Sequence, residues 1–446
     1  MCAEPAPARG QVRARDLVRS RQRLRSHHEP RAHQGAGRLP SAFAAPIALA
    51  WVVAASACSG SANVRGPSPG MQAGAGKPVA TGAASAPPST TTAAVATGAC
   101  SGGACAEVTQ LSAGGHTCAR MGDGSVRCWG PNTSGQLGSG ARTRYREAPA
   151  PVAGLSGMIQ VAVGGAHSCA VGGDGSVRCW GSNEVRQLGV GGDGSAPAQV
   201  PGLSAKAISA GYGGTCALLT DATVQCWGYN TAGQLGDGTT TARVEPRAVI
   251  GLGGVAEVVL SDAHACARLA DGTVRCWGWN RHGQLGDGTS LDRTRPVQVA
   301  GLKGAVQLAL GLEHTCARLD DGSVSCWGGN ASGQLGDGST TDKRRPSPVP
   351  GLKGVAQIGA GLTSTCARLD DGSVKCWGDN ERGQLGDGLT TTHLSPTQVA
   401  GVQGAVELAV GLGHACARTQ DGAVWCWGTP TAPRSLSTPP PERVPF

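Results

Sequence analysis

Apolar and polar residues alternate in short runs that recur about every 50 residues from residue 106 onward. In one repeat, Val306, Leu308 and Leu310 alternate with smaller or polar residues, which is typical of a β-strand. A proline-flanked run at residues 296–299 suits an outer edge strand. Two further β-prone runs lie on either side of an Asp-Gly pair, which is a strong hairpin signal. The pattern predicts four strands in each repeat.

The central hairpin of each repeat carries two cysteines with nine residues between them. In the fifth repeat, a three-residue loop at residues 320–322, with Gly322 at positive φ, places Cys316 directly opposite Cys326. Directly opposed residues have Cβ atoms about 4.5–5.5 Å apart, which is within reach of a disulfide after small adjustment. We therefore predict one cross-strand disulfide in each repeat.

The seven predicted pairs have the same spacing: Cys118 with Cys128, Cys169 with Cys179, Cys216 with Cys226, Cys266 with Cys276, Cys316 with Cys326, Cys366 with Cys376, and Cys416 with Cys426. Cys100 and Cys105, just before the first repeat, form an eighth candidate pair. Reduced thiols in the core and metal binding are the alternatives, in that order. Zinc sites usually pair cysteines two to four residues apart, and no such pair occurs within the repeats. We expect no metal and no cofactor.

Each second cysteine is followed by Trp-Gly, and six of the seven repeats continue into an Asn-x-x-x-Gln-Leu-Gly segment. Seven units of four strands predict an all-β, seven-bladed β-propeller over residues 106–446. The last repeat lacks the Gln-Leu-Gly segment. We expect residues 443–446 to supply its outer strand and to help close the ring.

The first 105 residues differ in composition from the repeats. Residues 1–57 join a basic lead to an apolar run at 47–57, which is too short to span a bilayer but suits a signal region. Ala-Ser-Ala precedes Cys58 and resembles the box before the lipidated cysteine of a bacterial lipoprotein. Plain secretion, and a signal anchor or misread start, are the alternatives. Residues 58–105, rich in Ala, Gly, Ser, Thr and Pro, predict a disordered tether.

The net charge of +8 lies mostly outside the repeats. Residues 1–58 hold nine arginines and three acidic residues, so they account for six of the eight charges and leave the remainder near +2. The propeller is nearly neutral, so composition gives no case for nucleic-acid binding.

Residues 314–338, from His-Thr-Cys-Ala-Arg-Leu to Gln-Leu-Gly-Asp-Gly, resemble repeats of the regulator of chromosome condensation family. The resemblance covers residues 106–428 and also implies a seven-bladed propeller. The eukaryotic namesake is a nuclear exchange factor for a small GTPase and binds chromatin. Because the signal region, the tether and the cysteine pairs point outside the cytoplasm, we do not carry that activity over. Secreted bacterial members include a β-lactamase inhibitor, which implies that the scaffold can serve as a protein-binding surface.

Two kinds of recurring polar residue are candidates for chemistry. Five repeats have a histidine two residues before the first cysteine: His116, His167, His264, His314 and His414. A catalytic histidine is normally a single residue, so five equivalent copies predict a structural hydrogen-bonding role. Four repeats place an aspartate after Gln-Leu-Gly: Asp237, Asp287, Asp337 and Asp387. None has the clustered carboxylates of a calcium loop, so we interpret them as turn formers.

Residues that differ between repeats are better candidates for a binding site. Exposed aromatics beside arginines are typical of protein recognition, although ordinary solvated loops are the alternative. The candidates are Tyr229, Trp279, Arg281, His282, Arg295, Arg344 and Arg345.

The sequence offers no unique cluster of acid, base and nucleophile, so we predict no catalytic residue. We expect an exported, lipid-anchored, monomeric binding propeller of the cell envelope that holds a protein or glycan partner. The outer membrane is one destination and release from the cell is the other. An extracellular lyase or hydrolase with its site at the channel mouth is the first alternative. Exchange-factor activity is the second.

Overall fold

The computed structural model describes residues 107–429 and 440–446 of the chain. These residues form seven four-stranded antiparallel sheets, and each sheet consists of four strands that are consecutive in the sequence. The all-β, seven-bladed propeller predicted from the repeats is therefore confirmed. The predicted signal region and tether lie outside the described residues, together with Cys58, Cys100 and Cys105.

In every blade the strands run from the central channel outward. The innermost strands are β1 (Val108–Ala113), β5 (Met158–Val163), β9 (Ala205–Ala210), β13 (Val255–Leu260), β17 (Ala305–Leu310), β21 (Val355–Ala360) and β25 (Ala405–Val410). The second strands are β2 (Thr117–Met121), β6 (His167–Gly172), β10 (Gly214–Leu219), β14 (His264–Leu269), β18 (His314–Leu319), β22 (Ser364–Leu369) and β26 (His414–Thr419).

The cysteine hairpin joins each second strand to a third, and an outer strand follows. The third strands are β3 (Val126–Asn132), β7 (Val177–Gly181), β11 (Val224–Gly228), β15 (Val274–Gly278), β19 (Val324–Gly328), β23 (Val374–Gly378) and β27 (Val424–Gly428). The outer strands are β4 (Thr143–Pro151), β8 (Ala198–Val200), β12 (Arg243–Ala248), β16 (Arg293–Gln298), β20 (Lys343–Pro348), β24 (His393–Gln398) and β28 (Glu442–Val444).

The hairpin of the fifth blade has the predicted three-residue loop. The Leu319 amide donates to the Ser323 carbonyl at 2.9 Å. Gly322 adopts φ +75°, a left-handed conformation in which a side chain is strained. Cys316 therefore lies directly opposite Cys326, as the spacing predicted.

All seven predicted hairpin pairs are disulfides, with Cα atoms 4.0–4.1 Å apart. The bonds join Cys118 to Cys128, Cys169 to Cys179, Cys216 to Cys226, Cys266 to Cys276, Cys316 to Cys326, Cys366 to Cys376, and Cys416 to Cys426. The pairing predicted from the spacing is thus confirmed in every blade, and reduced thiols or metal binding at these fourteen cysteines are not what the structure has.

The disulfides also fill the core between blades. Cys266 and Cys276 pack against Leu308 and Trp327 of the next blade, and all four side chains are buried. Each bridge therefore links two strands of one blade while its sulfurs pack against the following blade.

In the first six blades, the Gln-Leu-Gly segment packs against the Trp-Gly tryptophan of the next blade. The indole N–H of Trp327 donates to the Gln284 carbonyl at 3.0 Å. A Cβ on Gly286 would lie 2.7 Å from the indole nitrogen, so only glycine fits there. The same tryptophan bond recurs at six of the seven joints. The motif is thus a device for joining blades.

Replacing Gly286 by alanine should cost about 3 kcal/mol of unfolding free energy. Positive φ accounts for about 1 kcal/mol and crowding against Trp327 for the rest. Gly301 is a matched control because it also has positive φ (+76°) but open space around it, so Gly301→Ala should cost only about 1 kcal/mol. Urea unfolding of the two variants checks this. Equal losses would contradict the packing role of Gly286.

The seventh blade closes on the first without a Gln-Leu-Gly segment. The amide of Leu111 donates to Glu407 Oε1 at 2.9 Å. The rings of Trp129 and Phe446 meet edge to face with centroids 5.5 Å apart. β28 pairs with β27 as the outer strand of the last blade, as predicted. Phe446, which follows β28, therefore supplies the aromatic side chain that contacts Trp129 of the first blade.

Within residues 107–429 and 440–446, no helix has the length and apolar character needed to cross a bilayer.

Candidate functional site

The two ends of the blades carry different loops. The loops from first to second strand and from third to outer strand share one end, which we call the loop face; residues 311–313 and 329–342 are examples. The Asp-Gly hairpins, such as residues 320–322, lie at the opposite end, which we call the hairpin face. Every candidate binding residue named from the sequence lies in a loop-face segment or in the outer strand that follows it.

The asparagine that opens the Gln-Leu-Gly segment is buried in five of the six segments and organises the loop face. The Oδ1 atom of Asn330 accepts a hydrogen bond from the Leu335 amide at 3.0 Å. Its amide group donates to the carbonyls of Ser339 and Thr341. With its side chain buried and both ends bonded to the backbone, Asn330 holds the loop rather than a ligand.

The aspartates after Gln-Leu-Gly do more than form turns. Asp287 accepts hydrogen bonds from Thr289 and from the guanidinium of Arg293 at the start of the outer strand. Burial acts to raise the pKa of Asp287, but these hydrogen bonds outweigh it and hold the pKa below its usual value. Asp237, Asp337 and Asp387 pair in the same way with Arg243, Lys343 and His393. These basic residues are therefore engaged within their own blades.

The five repeated histidines form bonds between blades. The Nε2 atom of His314 lies 2.9 Å from the Thr365 hydroxyl of the next blade, and that hydroxyl donates to the Gln334 carbonyl. Because the hydroxyl proton is used, the imidazole must donate through Nε2–H. Equivalent bonds join His116, His167, His264 and His414 to Ser168, Thr215, Thr315 and Thr117. The predicted structural role is the one seen here.

Burial keeps these histidines neutral. It lowers the pKa of His314 to about 4. It lowers the pKa of His116 to about 3, with help from the neighbouring His167 and His414. All five side chains are at most 4% exposed. A buried, neutral imidazole bonded between blades is poorly placed to exchange protons with a substrate.

The histidine and its hydroxyl partner are lost together. The third blade has Gly214 in place of histidine, and the fourth blade then has Ala265 in place of the hydroxyl residue. The sixth blade has Ser364, and the seventh has Ala415. The sequence thus indicated which residues are bonded, because the histidine and the hydroxyl of the next blade are missing together. Without the histidine as its hydrogen-bond donor, a buried hydroxyl stabilises the joint no more than alanine does.

The loop face departs most clearly from symmetry at the joint between the fourth and fifth blades. Trp279 and His282 of the fourth blade meet edge to face with ring centroids 5.4 Å apart. His282 Nδ1 lies 2.8 Å from Asp342 Oδ2, and Nε2 lies 3.7 Å from Glu313 Oε1, both in the fifth blade. We call Trp279, His282, Glu313 and Asp342 the joint cluster.

The joint cluster is accessible to a partner. The side chains of His282, Glu313 and Asp342 are 35%, 29% and 42% exposed. Glu313 stands where the other repeats have glycine, alanine or threonine. The cluster presents an indole beside a histidine and two carboxylates, which is a surface suited to recognition. Trp279 and His282 were predicted from the sequence, whereas Glu313 and Asp342 were not. The signal for Glu313 is that no other repeat has a charged residue at this position.

The other candidates are dispersed around the cluster. Arg344 lies beside it, because its backbone passes directly against Gly283. Arg281 belongs to the same loop as His282. Tyr229 occupies the position equivalent to Trp279 on the third blade, and its amide donates to the Gly213 carbonyl of its own blade. The structure shows no ring contact between Tyr229 and Trp279.

Arg295 and Arg345 lie farther out. Both are exposed on outer strands, where each guanidinium lies over the Asp-Gly turn of the preceding blade, at Gly238 and Gly288. Whether any of these arginines contacts a partner remains a prediction.

The central channel encloses a cavity of about 230 Å³ near the loop face. All seven innermost strands contribute to it, mostly with glycine and aliphatic side chains. Among the lining residues only Tyr212 and Asp262 carry ionisable side chains. A gathering of histidine, glutamate and arginine would have favoured the enzyme alternative, and this lining contains none of the three. Within the described part of the chain, no group of three or more His, Cys, Asp or Glu residues is arranged to hold a metal ion.

Comparison with known families gives a match to the RCC1-like domain over residues 72–361. Models of the regulator of chromosome condensation (RCC1) repeat match residues 355–384 and 371–418. Together these matches extend over most of the propeller.

Curated relatives match over short stretches. The probable E3 ubiquitin-protein ligase HERC3 of Homo sapiens is 42% identical over 86 residues, which is 19% of this chain and 8% of that protein. Protein pim1 of Schizosaccharomyces pombe is 36% identical over 107 residues, 21% of this chain and 20% of that protein. The chain thus spans only a small part of the length of these relatives.

Solved structures match across the propeller. Yeast RCC1 (Prp20), bound to Kap60, superposes with a TM-score of 0.65 at 22% identity and covers 76% of this chain and 85% of that chain. Human WBSCR16 superposes with a TM-score of 0.65 at 22% identity, and the match covers 72% of this chain and 94% of that chain. At this identity the likeness shows the fold.

Proposed function

Because this chain belongs to the RCC1-like domain family, we propose that it is a non-enzymatic binding propeller that holds a protein or glycan partner on its loop face. The observation that carries the proposal is the joint cluster. Six of the seven blades have nothing larger than threonine at the position of Glu313, whereas the fifth blade places that carboxylate against His282 of its neighbour.

The rigidity of the ring supports a binding role. Disulfides brace each blade, and tryptophan and histidine bonds fix neighbouring blades, so the loops of the joint cluster are held in place before a partner arrives. A preorganised surface loses less conformational entropy on binding. Protein binding is also named for a solved relative: the yeast protein Prp20p was described with its binding properties to Gsp1p and histones. We do not transfer those partners to this chain.

We further propose that the protein works outside the cytoplasm, in the cell envelope, and is anchored through a lipid on Cys58. Seven disulfides favour an oxidising compartment, because cytosolic thiols are kept reduced. A peptide beginning at Cys58 and carrying lipid, found by mass spectrometry, would support the anchor; an unmodified Cys58 would count against it.

Exchanging the loop of the fourth blade for that of the fifth tests the binding face. The variant Trp279→Gly/Arg281→Ala/His282→Ser copies residues 329–332 into residues 279–282, so its backbone is one the fold already contains. We expect at least a tenfold loss of the partner captured after cross-linking in native envelopes, since buried aromatic and charged residues dominate binding energy.

A matched exchange in the sixth blade serves as the control. Asp379→Gly/Glu381→Ala/Arg382→Ser introduces the same loop two blades away. This variant should retain the partner and the melting temperature of the parent. Loss of capture in both variants, or in neither, would contradict a site at the joint cluster.

A further inference from the structure

Five consecutive blades carry an arginine at the same place on the second strand, near the hairpin face. We call this set the arginine arc; running around the ring from the fourth blade to the first, it consists of Arg268, Arg318, Arg368, Arg418 and Arg120. The second and third blades have Val171 and Leu218 there. The arc is therefore a one-sided feature of the ring, which a purely repetitive structural role would not require.

Each arginine of the arc lies opposite a glutamine or glutamate of the innermost strand. Arg268 is opposite Glu257, and Arg318 is opposite Gln307. Glu257 accepts a hydrogen bond from the Leu308 amide of the next blade with one carboxylate oxygen. Its other oxygen accepts a hydrogen bond from Arg268 Nε at 3.1 Å. Glu407 serves Arg418 in the same way. Two of the five guanidinium groups are thus neutralised by carboxylates.

The glutamines do not form hydrogen bonds with the arginines beside them. Gln307 uses Oε1 to accept from the Ile358 amide and Nε2 to donate to the Ile358 carbonyl. Gln357 clamps Leu408 of the next blade in the same way. With both ends of each amide committed to backbone, neither neutralises the guanidinium beside it.

The Nε atoms of Arg120, Arg318 and Arg368 are consequently buried and without hydrogen-bond partners among the described residues. In the same part of the chain, no carboxylate oxygen lies within 4.0 Å of these three side chains. Leaving a buried donor unsatisfied is unfavourable. Arg318 and Arg368 lie on adjacent blades and repel each other. Burial, together with this repulsion, holds the pKa of Arg368 below its usual value even though Asp370 and Glu407 oppose the shift.

From this geometry we infer that Arg318 and Arg368 form a binding site for a small multivalent oxyanion on the hairpin face. Guanidinium groups bind phosphate and carboxylate oxygens through paired, charge-assisted hydrogen bonds. An oxyanion between Arg318 and Arg368 would supply acceptors to their partly exposed guanidinium groups and would relieve the repulsion between the two charges. The site lies on the face opposite the joint cluster and does not depend on the proposed function.

Calorimetric titration of the full chain with pyrophosphate tests the site, and citrate distinguishes phosphate from carboxylate ligands. We expect saturable binding of at least one of the two. Arg318→Gln/Arg368→Gln should weaken it at least about tenfold. Lys303→Gln/Lys353→Gln is a matched control, because it removes two exposed charges from the loops that enter the same two blades. This control should change affinity by less than about twofold.

A second variant keeps the proposal testable if the arginine variant fails to fold. Glu407→Gln copies the glutamine found at residue 357 of the sixth blade and releases Arg418 from its carboxylate. Affinity for the same oxyanion should then rise several-fold. Absence of saturable binding to either probe, or equal weakening by the arginine and lysine variants, would overturn the inference.

Discussion

Complete reduction of the seven disulfides should lower the melting temperature by at least about 10 °C. Each bridge closes a loop of eleven residues and contributes about 3 kcal/mol by restricting the unfolded chain. The seven contributions will not add fully, because neighbouring blades unfold together. Calorimetry with and without a phosphine reductant, after mass spectrometry has shown complete reduction, measures the effect.

A single-blade variant separates the bridge from its surroundings. Cys316→Ala/Cys326→Ala should cost a few degrees under oxidising conditions. Under reducing conditions most of its difference from the parent should vanish, because both chains then lack the bridge. An unchanged melting temperature on full reduction, or free thiols at these positions in protein taken from native cells, would contradict both the stabilising role and the proposed location outside the cytoplasm.

Acidification should destabilise the ring well before its carboxylates are protonated. The five buried histidines have folded-state pKa values of about 3 to about 4, against 6.5 when exposed. Below pH 6.5 the unfolded chain binds protons that the folded chain does not. The stabilisation is therefore complete above pH 6.5 and is lost as the pH falls toward 4. Between about pH 7 and pH 5 the loss should be about 2 kcal/mol for each histidine.

A variant that copies a natural joint isolates this effect. His314→Ser/Thr365→Ala reproduces the pairing of Ser364 with Ala415 at the next joint of the ring. Urea unfolding at pH 7 and pH 5 measures how much unfolding free energy each chain loses on acidification. This loss should be about 2 kcal/mol smaller in the variant than in the parent. Glu257 and Glu407, whose pKa values burial raises, oppose the trend equally in both chains. An unchanged pH dependence would mean that folding does not lower the pKa of His314.

Local pairing in the propeller was predictable because it depends on short spacings. Nine residues between cysteines and an Asp-Gly at the loop determine which residues of the hairpin face each other, and Cys316 lies opposite Cys326 accordingly. The role of the repeated histidines was also within reach, because five equivalent copies argue against catalysis. What they bond to was not predicted, since the Thr365 partner of His314 is 51 residues away.

The candidate site was only half predictable. Trp279 and His282 stand out as departures within one loop, but their neighbours Glu313 and Asp342 come from the next blade. The arginine arc was not predicted, because arginine after Cys-Ala looks like an ordinary solvated residue. Whether each guanidinium is paired depends on whether glutamine or glutamate lies opposite it. It also depends on which hydrogen bonds that side chain forms with the next blade.

The sequence by itself determined the repeat, the hairpin register, the cysteine pairs and the number of blades, because each follows from spacings within about 50 residues. Only the tertiary structure decided which faces of neighbouring blades meet, which polar groups those joints satisfy and which they leave unpaired. Contacts between blades join residues that no local spacing relates, so their hydrogen bonds and charges become apparent only when the ring is closed.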